Sequence, residues 1–191
     1  TTTTQQVSIA NETAVSTTSS GTSVAQATAA ASSSQNQSKY EANVASVAGK
    51  MDNRVIAAYQ QLGFKLVVDP SVNYSGYFDA RSRSITMKQI DDSVYHELGH
   101  FLAFIAGNVD KTASFQSIFA AEKANVTAFN KAYVTQNASE YFAESVKDYI
   151  LNNASLKSTR PQTYAAVQNA LNQITDAQIA KIQKIYGAFW N

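Results

Sequence analysis

A five-residue run, His96-Glu97-Leu98-Gly99-His100, contains both histidines of this 191-residue chain. Residues four apart in a helix project from the same face, so the run would place two imidazoles side by side. At that spacing both rings can reach one Zn²⁺ at about 2.0–2.1 Å, with the glutamate beside the remaining coordination position. The run therefore predicts zinc ligands at His96 and His100 and a general base at Glu97, as in a zinc metalloprotease. The alternative is an amphipathic helix with two solvated imidazoles.

The composition excludes several other classes of protein. Fifteen basic and fourteen acidic side chains give a net charge of +1, so no nucleic-acid partner is expected. No window approaches the roughly 18 consecutive apolar residues of a membrane span. A hydrophobic content of 45% is sufficient for a core. We expect a monomer.

The first 38 residues differ in composition from the rest. They are nearly all Ser, Thr, Ala, Gln, Asn and Val, with Glu12 as their one charged residue. Such a segment buries too little apolar area to offset the entropy of ordering. We therefore predict a disordered tether at residues 1–38 and a zinc metalloprotease catalytic domain at residues 39–191. Tethers of this composition are typical of secreted bacterial proteins. We therefore expect an extracellular protein, which is either released or attached to the cell surface.

The order of predicted elements favours an α+β fold. It comprises a small mixed sheet, with an edge strand beside the zinc-binding active-site helix, and a mainly helical C-terminal half. The pattern predicts helices from Tyr40 to Leu62, a strand at 64–68, strands at Gly76–Asp79 and Ser84–Met87, the motif helix from Asp91 or Asp92 to Gly107, and helices at 114–123, 139–151, 161–174 and 176–190.

We assign the edge strand to Ser84–Met87 and expect an extended peptide to pair with it. Tyr77 and Ile85 are the predicted substrate contacts. In the motif helix, Leu98 and its apolar neighbours form a stripe from which the two histidines point away. This separation predicts that the histidine face is not packed into the core.

The third zinc ligand is expected to be a carboxylate. A catalytic zinc takes three protein ligands, and the chain has no third histidine. The acidic candidates downstream of the motif are Asp110, Glu122, Glu140, Glu144, Asp148 and Asp176. Glu140 and Glu144 stand out, because four-residue spacing on one helix allows one to bind the metal while the other supports a ligating imidazole. A solvated helix face with two glutamates accounts for the pattern equally well.

Residues 139–145 (Ser-Glu-Tyr-Phe-Ala-Glu-Ser) resemble the third-ligand motif of the anthrax lethal-factor-like zinc proteases, which include the secreted bacterial Pro-Pro endopeptidases. The segments 115–120, 156–158 and 161–164 also resemble stretches of the Pro-Pro endopeptidases. Gly76–Asp79 resembles the strand pair that precedes the motif helix in the wider family. The resemblance extends from about residue 76 to residue 171.

The resemblance implies a role for each site residue. It assigns one zinc ion per chain to three ligands: His96, His100 and Glu140. It makes Glu97 the catalytic base and Tyr133, seven residues before the ligand glutamate, a second catalytic residue. Glu144 matches the family's other carboxylate and is expected to support a ligating histidine.

These observations predict a secreted zinc-dependent endopeptidase that hydrolyses an extended peptide or protein substrate with a zinc-bound water, assisted by Glu97. We rank general endopeptidase activity ahead of Pro-Pro cleavage, because residues 76–87 form a short segment without tryptophan. The alternative is a non-catalytic secreted or surface-tethered zinc-binding interaction domain. The presence of Glu97 argues against it, since a structural zinc site has no need of a base. An intracellular peptidase is disfavoured by the tether.

Overall fold

The computed structural model describes residues 38–190, so all of the predicted tether except Ser38 lies outside the described residues. Within this range a four-stranded mixed sheet is followed by a mainly helical region, which confirms the predicted α+β fold. The strands are β1 (Tyr40–Ala42), β2 (Lys65–Val68), β3 (Gly76–Asp79) and β4 (Ser84–Met87). None of the helices described is both long and apolar enough to cross a membrane.

The helices begin and end close to their predicted positions. In the described range they are α1 (Val44–Val47), α2 (Asn53–Gln61), α3 (Ser93–Ile105), α4 (Ala113–Glu122), α5 (Lys131–Val134), α6 (Ala138–Leu151), α7 (Asn153–Thr159), α8 (Pro161–Asn172) and α9 (Asp176–Trp190). Two of these, α5 and α7, are absent from the sequence prediction. Local chemistry fixes several starts: Pro161 occupies the first turn of α8, and the Asn137 side chain accepts the Glu140 N–H at 2.9 Å.

The prediction that a helix begins at Tyr40 is wrong. Residues Tyr40–Ala42 form β1, which pairs antiparallel with β2, and Tyr40 lies opposite Val68. The helical pattern starts only after Asn43, whose side chain accepts the Ser46 N–H at 3.1 Å and caps α1. Strand pairing with a distant partner therefore overrides the local helical pattern of this segment.

The position of the edge strand also differs from the prediction. The strand order is β1-β2-β4-β3, so β4 lies inside the sheet and β3 is the edge beside α3. The Tyr59 hydroxyl joins β2 to β4, since it donates to Lys65 O at 2.7 Å and accepts the Ile85 N–H at 3.2 Å. Ile85 is fully buried between β2 and β3. Its predicted contact with substrate is therefore wrong.

Helix α3 is covered on almost every side, and eleven of its thirteen residues are buried. One side packs on the sheet and the aromatic core, where the Phe101 ring lies 5.0 Å from those of Tyr59 and Phe64. The side that carries the histidines packs against α6, and His96 is only 7% exposed. The predicted apolar stripe with Leu98 lies in the core, whereas the histidines face the carboxylates of α6.

Candidate metal centre

A close approach of two helices brings the motif and the acidic residues together. Gly99 lies against Ala143, and an ideal Cβ at position 99 would meet the Cα and the carbonyl oxygen of Ala143 at 2.7 Å. Real Cβ atoms do not tolerate such a distance, so only glycine allows α3 and α6 to pack this closely. Ala143 lies between Glu140 and Glu144 on α6. The contact therefore sets both carboxylates against the histidines of α3.

Three side chains converge in this interface: His96, His100 and Glu140. One potential ligand atom from each lies within 4.8 Å of the other two. Glu140 Oε2 is 3.1 Å from His96 Nε2 and 3.7 Å from His100 Nε2. Tetrahedral ligands at about 2.0–2.1 Å from zinc are separated by roughly 3.3 Å, so both distances suit one shared ion. The donor set of two imidazoles and one carboxylate therefore fits Zn²⁺.

Glu144 supports His96 from the other side of the imidazole ring. Its Oε2 lies 2.9 Å from His96 Nδ1, and Glu144 is 6% exposed. A proton on Nδ1 donates to this carboxylate and leaves Nε2 as the metal-binding nitrogen. The Glu144 Oε1 atom lies 3.6 Å from Lys147 Nζ. Burial raises the pKa of Glu144, but the hydrogen bond from His96 and the charge of Lys147 outweigh it, so the net shift is downward.

The field of these carboxylates favours positive charge at the site. Burial lowers the pKa of His96, yet hydrogen bonds to Glu140 and Glu144 outweigh it and raise the pKa to about 9. Burial raises the pKa of Glu140, but the two imidazoles hold it well below its usual range. The same negative potential that retains a proton on His96 would stabilise a metal cation in its place.

Glu97 lies on the cleft side of this cluster and is 6% exposed. A Cβ at Gly76 would come within 2.7 Å of Glu97 Cγ and Oε1, so glycine is needed where β3 passes the carboxylate. Burial raises the pKa of Glu97, and the neighbouring His96 and His100 oppose the rise only in part. A carboxylate with a raised pKa is a stronger base than an exposed one, as general-base chemistry near neutral pH requires.

Tyr133 is carried by the short helix α5, with its ring 6.5 Å from the His96 ring. Its side chain is half exposed and faces Glu140. Burial and the charge of Glu140 raise the pKa of Tyr133 to about 12, so the phenol keeps its proton at neutral pH. The hydroxyl is therefore a hydrogen-bond donor beside the metal cluster.

A cleft of about 350 Å³ opens beside His96 and Glu97. Tyr74, Ser75 and Gly76 line it from the sheet side, and Asn130 and Tyr133 line it from the α5 side. The sequence prediction omitted Tyr74, which precedes β3 in a Ser- and Asn-containing segment without periodicity. Tyr77 does not line the cleft; it is 58% exposed, with its ring 5.8 Å from that of Tyr74. Its role in substrate binding stays a prediction.

The other acidic candidates have different partners. Asp110 accepts a hydrogen bond from Ser139 Oγ at 2.6 Å, and Glu122 accepts the N–H groups at the start of α8. Asp148 pairs with the buried Arg160. Asp176 is exposed in the first turn of α9. The alternative of a solvated Glu140–Glu144 face is wrong, because Glu144 is buried against His96.

Residues 80–170 match the family of the anthrax toxin lethal factor, N- and C-terminal domain. This match confirms the lethal-factor-like resemblance over that part of the chain, which contains the His96, His100 and Glu140 cluster and Glu97. A curated relative is a Pro-Pro endopeptidase of Clostridioides difficile (strain 630), 41% identical over 78 residues. The alignment covers 39% of this chain and 34% of the relative. The matched part of the chain thus spans about a third of the relative's length.

The helix contact at Gly99 leads to a first testable prediction. Gly99→Ala should force α3 and α6 apart, which we expect to lower the free energy of unfolding by about 1–3 kcal/mol and to weaken zinc binding. Gly187→Ala is the matched control, because a Cβ there meets nothing within 4 Å. That variant should be neutral or more stable by up to about 1 kcal/mol. Denaturant unfolding and zinc titration measure both effects; equal behaviour of the two variants would contradict the prediction.

Proposed function

We propose that this chain is a zinc-dependent endopeptidase, in which residues 39–191 form the catalytic domain and residues 1–38 a tether. The observation that carries the proposal is the cluster of His96, His100 and Glu140 beside an open cleft that His96 and Glu97 line. The composition of the tether supports action outside a bacterial cell. His96 Nε2, His100 Nε2 and a Glu140 oxygen would hold the ion.

Zinc, when bound, supplies a Lewis acid that lowers the pKa of water towards about 7 and polarises a peptide carbonyl. Glu97 is placed to accept the proton of the attacking water on a carboxylate oxygen. It then delivers that proton to the nitrogen of the leaving amine, so one group acts as base and acid in turn. The buried position of Glu97, with its raised pKa, supports this role.

Tyr133 is proposed to stabilise the charge that develops on the substrate carbonyl oxygen. Its phenol is protonated at neutral pH and lies in the cleft near His96. A hydrogen bond donated to a developing oxyanion commonly contributes about 10²–10³-fold to kcat. Tyr133→Phe removes that donor while it keeps the ring.

The free edge of β3 is the proposed docking site for the substrate backbone. In an antiparallel pair, every second residue of a strand hydrogen-bonds to the partner strand. Lys88 donates its N–H to Ser75 O at 2.9 Å, so the residues of β3 that bond to β4 are Tyr77 and Asp79. Gly76 and Phe78 therefore turn their N–H and C=O groups away from β4, and the Phe78 N–H faces the Glu97 carboxylate. No other strand within residues 38–190 pairs with this edge. An extended peptide added here would run past Glu97, which lies against Gly76.

Hydrolysis of a peptide library by the zinc-loaded chain tests the proposal. We expect new peptide termini, loss of cleavage on treatment with a zinc chelator, and recovery when zinc is added back. Thermal unfolding of the chelated chain shows whether the fold survives the treatment. A chain that binds zinc and peptides yet cleaves none would instead support the non-catalytic binding domain.

Cleavage at proline-containing sites is the finer proposal, and the 41% identity to a Pro-Pro endopeptidase supports it. The same library should therefore contain proline at every position around the cleavage site. Enrichment of proline on both sides of the cleaved bond is the expected result. Equal cleavage of proline-free peptides would contradict this finer specificity and would support general endopeptidase activity.

The contact between Glu144 and His96 gives a further prediction. Glu144→Ala removes the acceptor that orients the ligating ring, so zinc affinity should fall by about 10–100-fold. Competition with a chelator of known affinity measures the change. Asp176→Ala, which removes an exposed carboxylate on α9, is the control. Unchanged affinity in Glu144→Ala would show that Glu144 does not support the metal centre.

A further inference from the structure

Most of the polar side chains that are buried within residues 38–190 fall into two groups. Those of the metal centre are His96, Glu97 and Glu144. Those of the second group are Glu122, Ser145, Arg160 and Thr163, which have no part in the proposed mechanism. A buried polar or charged group costs free energy unless it is hydrogen-bonded, so the partners of the second group show what it holds together.

Arg160, the single residue between α7 and α8, holds α6. Its Nη1 donates to Ser145 Oγ at 2.9 Å, its Nη2 pairs with Asp148, and its guanidinium lies 5.5 Å from the centre of the Tyr141 ring. The Ser145 hydroxyl is free to accept from Arg160, because it donates its own proton to Tyr141 O at 2.6 Å. One buried guanidinium therefore contacts two successive turns of α6.

A second connection runs from Tyr141 to the end of α4. Glu122 Oε2 accepts the Thr163 hydroxyl at 2.7 Å and the Thr163 N–H at 2.8 Å. Because Thr163 donates its only hydroxyl proton to Glu122, its oxygen accepts the Tyr141 hydroxyl, which lies 2.7 Å away. The first turn of α8 is therefore fixed to α4, and α6 is fixed to that turn.

The residues held in this way adjoin the carboxylates of the metal centre. Tyr141 follows Glu140, and Ser145 follows Glu144, so each lies about 100° around α6 from a carboxylate. Side-chain ends lie about 5–6 Å from a helix axis, so a rotation of α6 by about 10° would move each carboxylate by about 1 Å. Metal-ligand distances tolerate only about 0.2 Å. The contact at Gly99 sets how close α3 and α6 lie, but the rotation of α6 also depends on its other sides.

We propose that Arg160 is a positioning residue of the metal centre. Together with Tyr141, it fixes the rotation of α6 at which Glu140 and Glu144 meet the histidines. This inference rests on the zinc centre of the proposed function. Stability alone does not account for the contacts, because a buried ion pair can often be replaced by apolar residues without loss. A defined rotation requires directional bonds, which the rigid fork of a guanidinium supplies.

The zinc affinity of the folded chain, measured by chelator competition well below the unfolding temperature, tests the inference. Arg160→Met keeps much of the side-chain volume and removes the donors, so zinc binding should weaken about tenfold. Arg160→Lys keeps the charge without the fork and should recover part of that loss. Arg54→Met, which makes the same change at an arginine paired with Asp52 on α2, is the matched control and should bind zinc as wild type does.

A milder pair of variants separates positioning from stability. Tyr141→Phe removes the hydroxyl bonded to Thr163, and Tyr59→Phe removes an equally buried hydroxyl between β2 and β4. Each should lower the thermal unfolding midpoint by about 2–4 °C, because a buried hydrogen bond is lost. Only Tyr141→Phe should also weaken zinc binding, by about threefold.

Cobalt(II) in place of zinc gives a second readout, since its visible absorption depends on the coordination geometry. At saturating metal we expect an altered spectrum in Arg160→Met and Tyr141→Phe. The spectrum of Tyr59→Phe should match that of wild type, although its stability is lowered. If Arg160→Met fails to fold, Tyr141→Phe against Tyr59→Phe decides the comparison.

Wild-type zinc affinity in the folded Arg160 and Tyr141 variants would overturn the inference and leave these residues a role in stability alone. So would a loss of zinc affinity in Tyr59→Phe equal to that in Tyr141→Phe. Zinc binding without peptide cleavage by the wild-type chain would overturn the proposed function but not this inference. Absence of zinc binding by the wild-type chain would overturn both.

Discussion

Glu97→Gln is expected to retain zinc and to lower kcat by about 10²–10⁴-fold. Glutamine matches the size of glutamate, so it fits the buried space beside Gly76. It cannot accept a proton from the attacking water at neutral pH, so the water is no longer activated by a base. Substrate binding should be retained, because the free edge of β3 and the metal ligands are unchanged. KM is therefore expected to change much less than kcat.

The measurement is steady-state peptide hydrolysis, together with zinc analysis of the same sample. Glu41→Gln is the matched control, since it makes the same chemical change at an exposed position on β1. It should behave as wild type. Activity of the zinc-loaded Glu97→Gln chain within a factor of a few of wild type would show that another group acts as the base.

Glu140→Ala is expected to abolish both zinc retention and activity. It removes the oxygen that lies 3.1 Å from His96 Nε2 and 3.7 Å from His100 Nε2. Two imidazoles alone leave zinc without the third protein ligand of a catalytic site. The loss of affinity should exceed the roughly 10–100-fold expected for a residue that only supports a ligand, such as Glu144.

Zinc affinity by chelator competition measures this effect. Asp176→Ala is the informative control, because Asp176 is, like Glu140, one of the acidic candidates for the third ligand in the sequence. The structure places it in the first turn of α9, exposed. Tight one-to-one zinc binding by Glu140→Ala would show that the third ligand is a different residue.

Much of the site is encoded locally and could be predicted from the sequence. The spacing of His96, Glu97 and His100 on one helix fixes their relative positions, because a helix has a constant period. The same helical period places Glu140 and Glu144 on one face of α6. The absence of a third histidine limits the third ligand to a carboxylate. The choice among carboxylates depends on which helix packs against α3, so spacing alone could not make it.

The remaining features depend on contacts between residues far apart in the chain. The close packing of Gly99 on Ala143 explains why the histidine face is buried, and nothing in the motif itself indicates this partner. Strand β4 lies inside the sheet because it pairs with β2 on one side and β3 on the other, so Ile85 is buried although its segment alone is typical of an edge. Strand β1 forms only because β2 is available as a partner.

Anomalous diffraction at the zinc edge, from crystals of the zinc-loaded chain, locates the metal and so tests whether His96, His100 and Glu140 hold it. We expect a single strong peak per chain at about 2.0–2.1 Å from His96 Nε2, His100 Nε2 and an oxygen of Glu140, with the fourth position open towards Glu97 and the cleft. A peak away from these three atoms would contradict this expectation. So would a fourth protein ligand that closes the site, since a closed centre has no place for water or substrate.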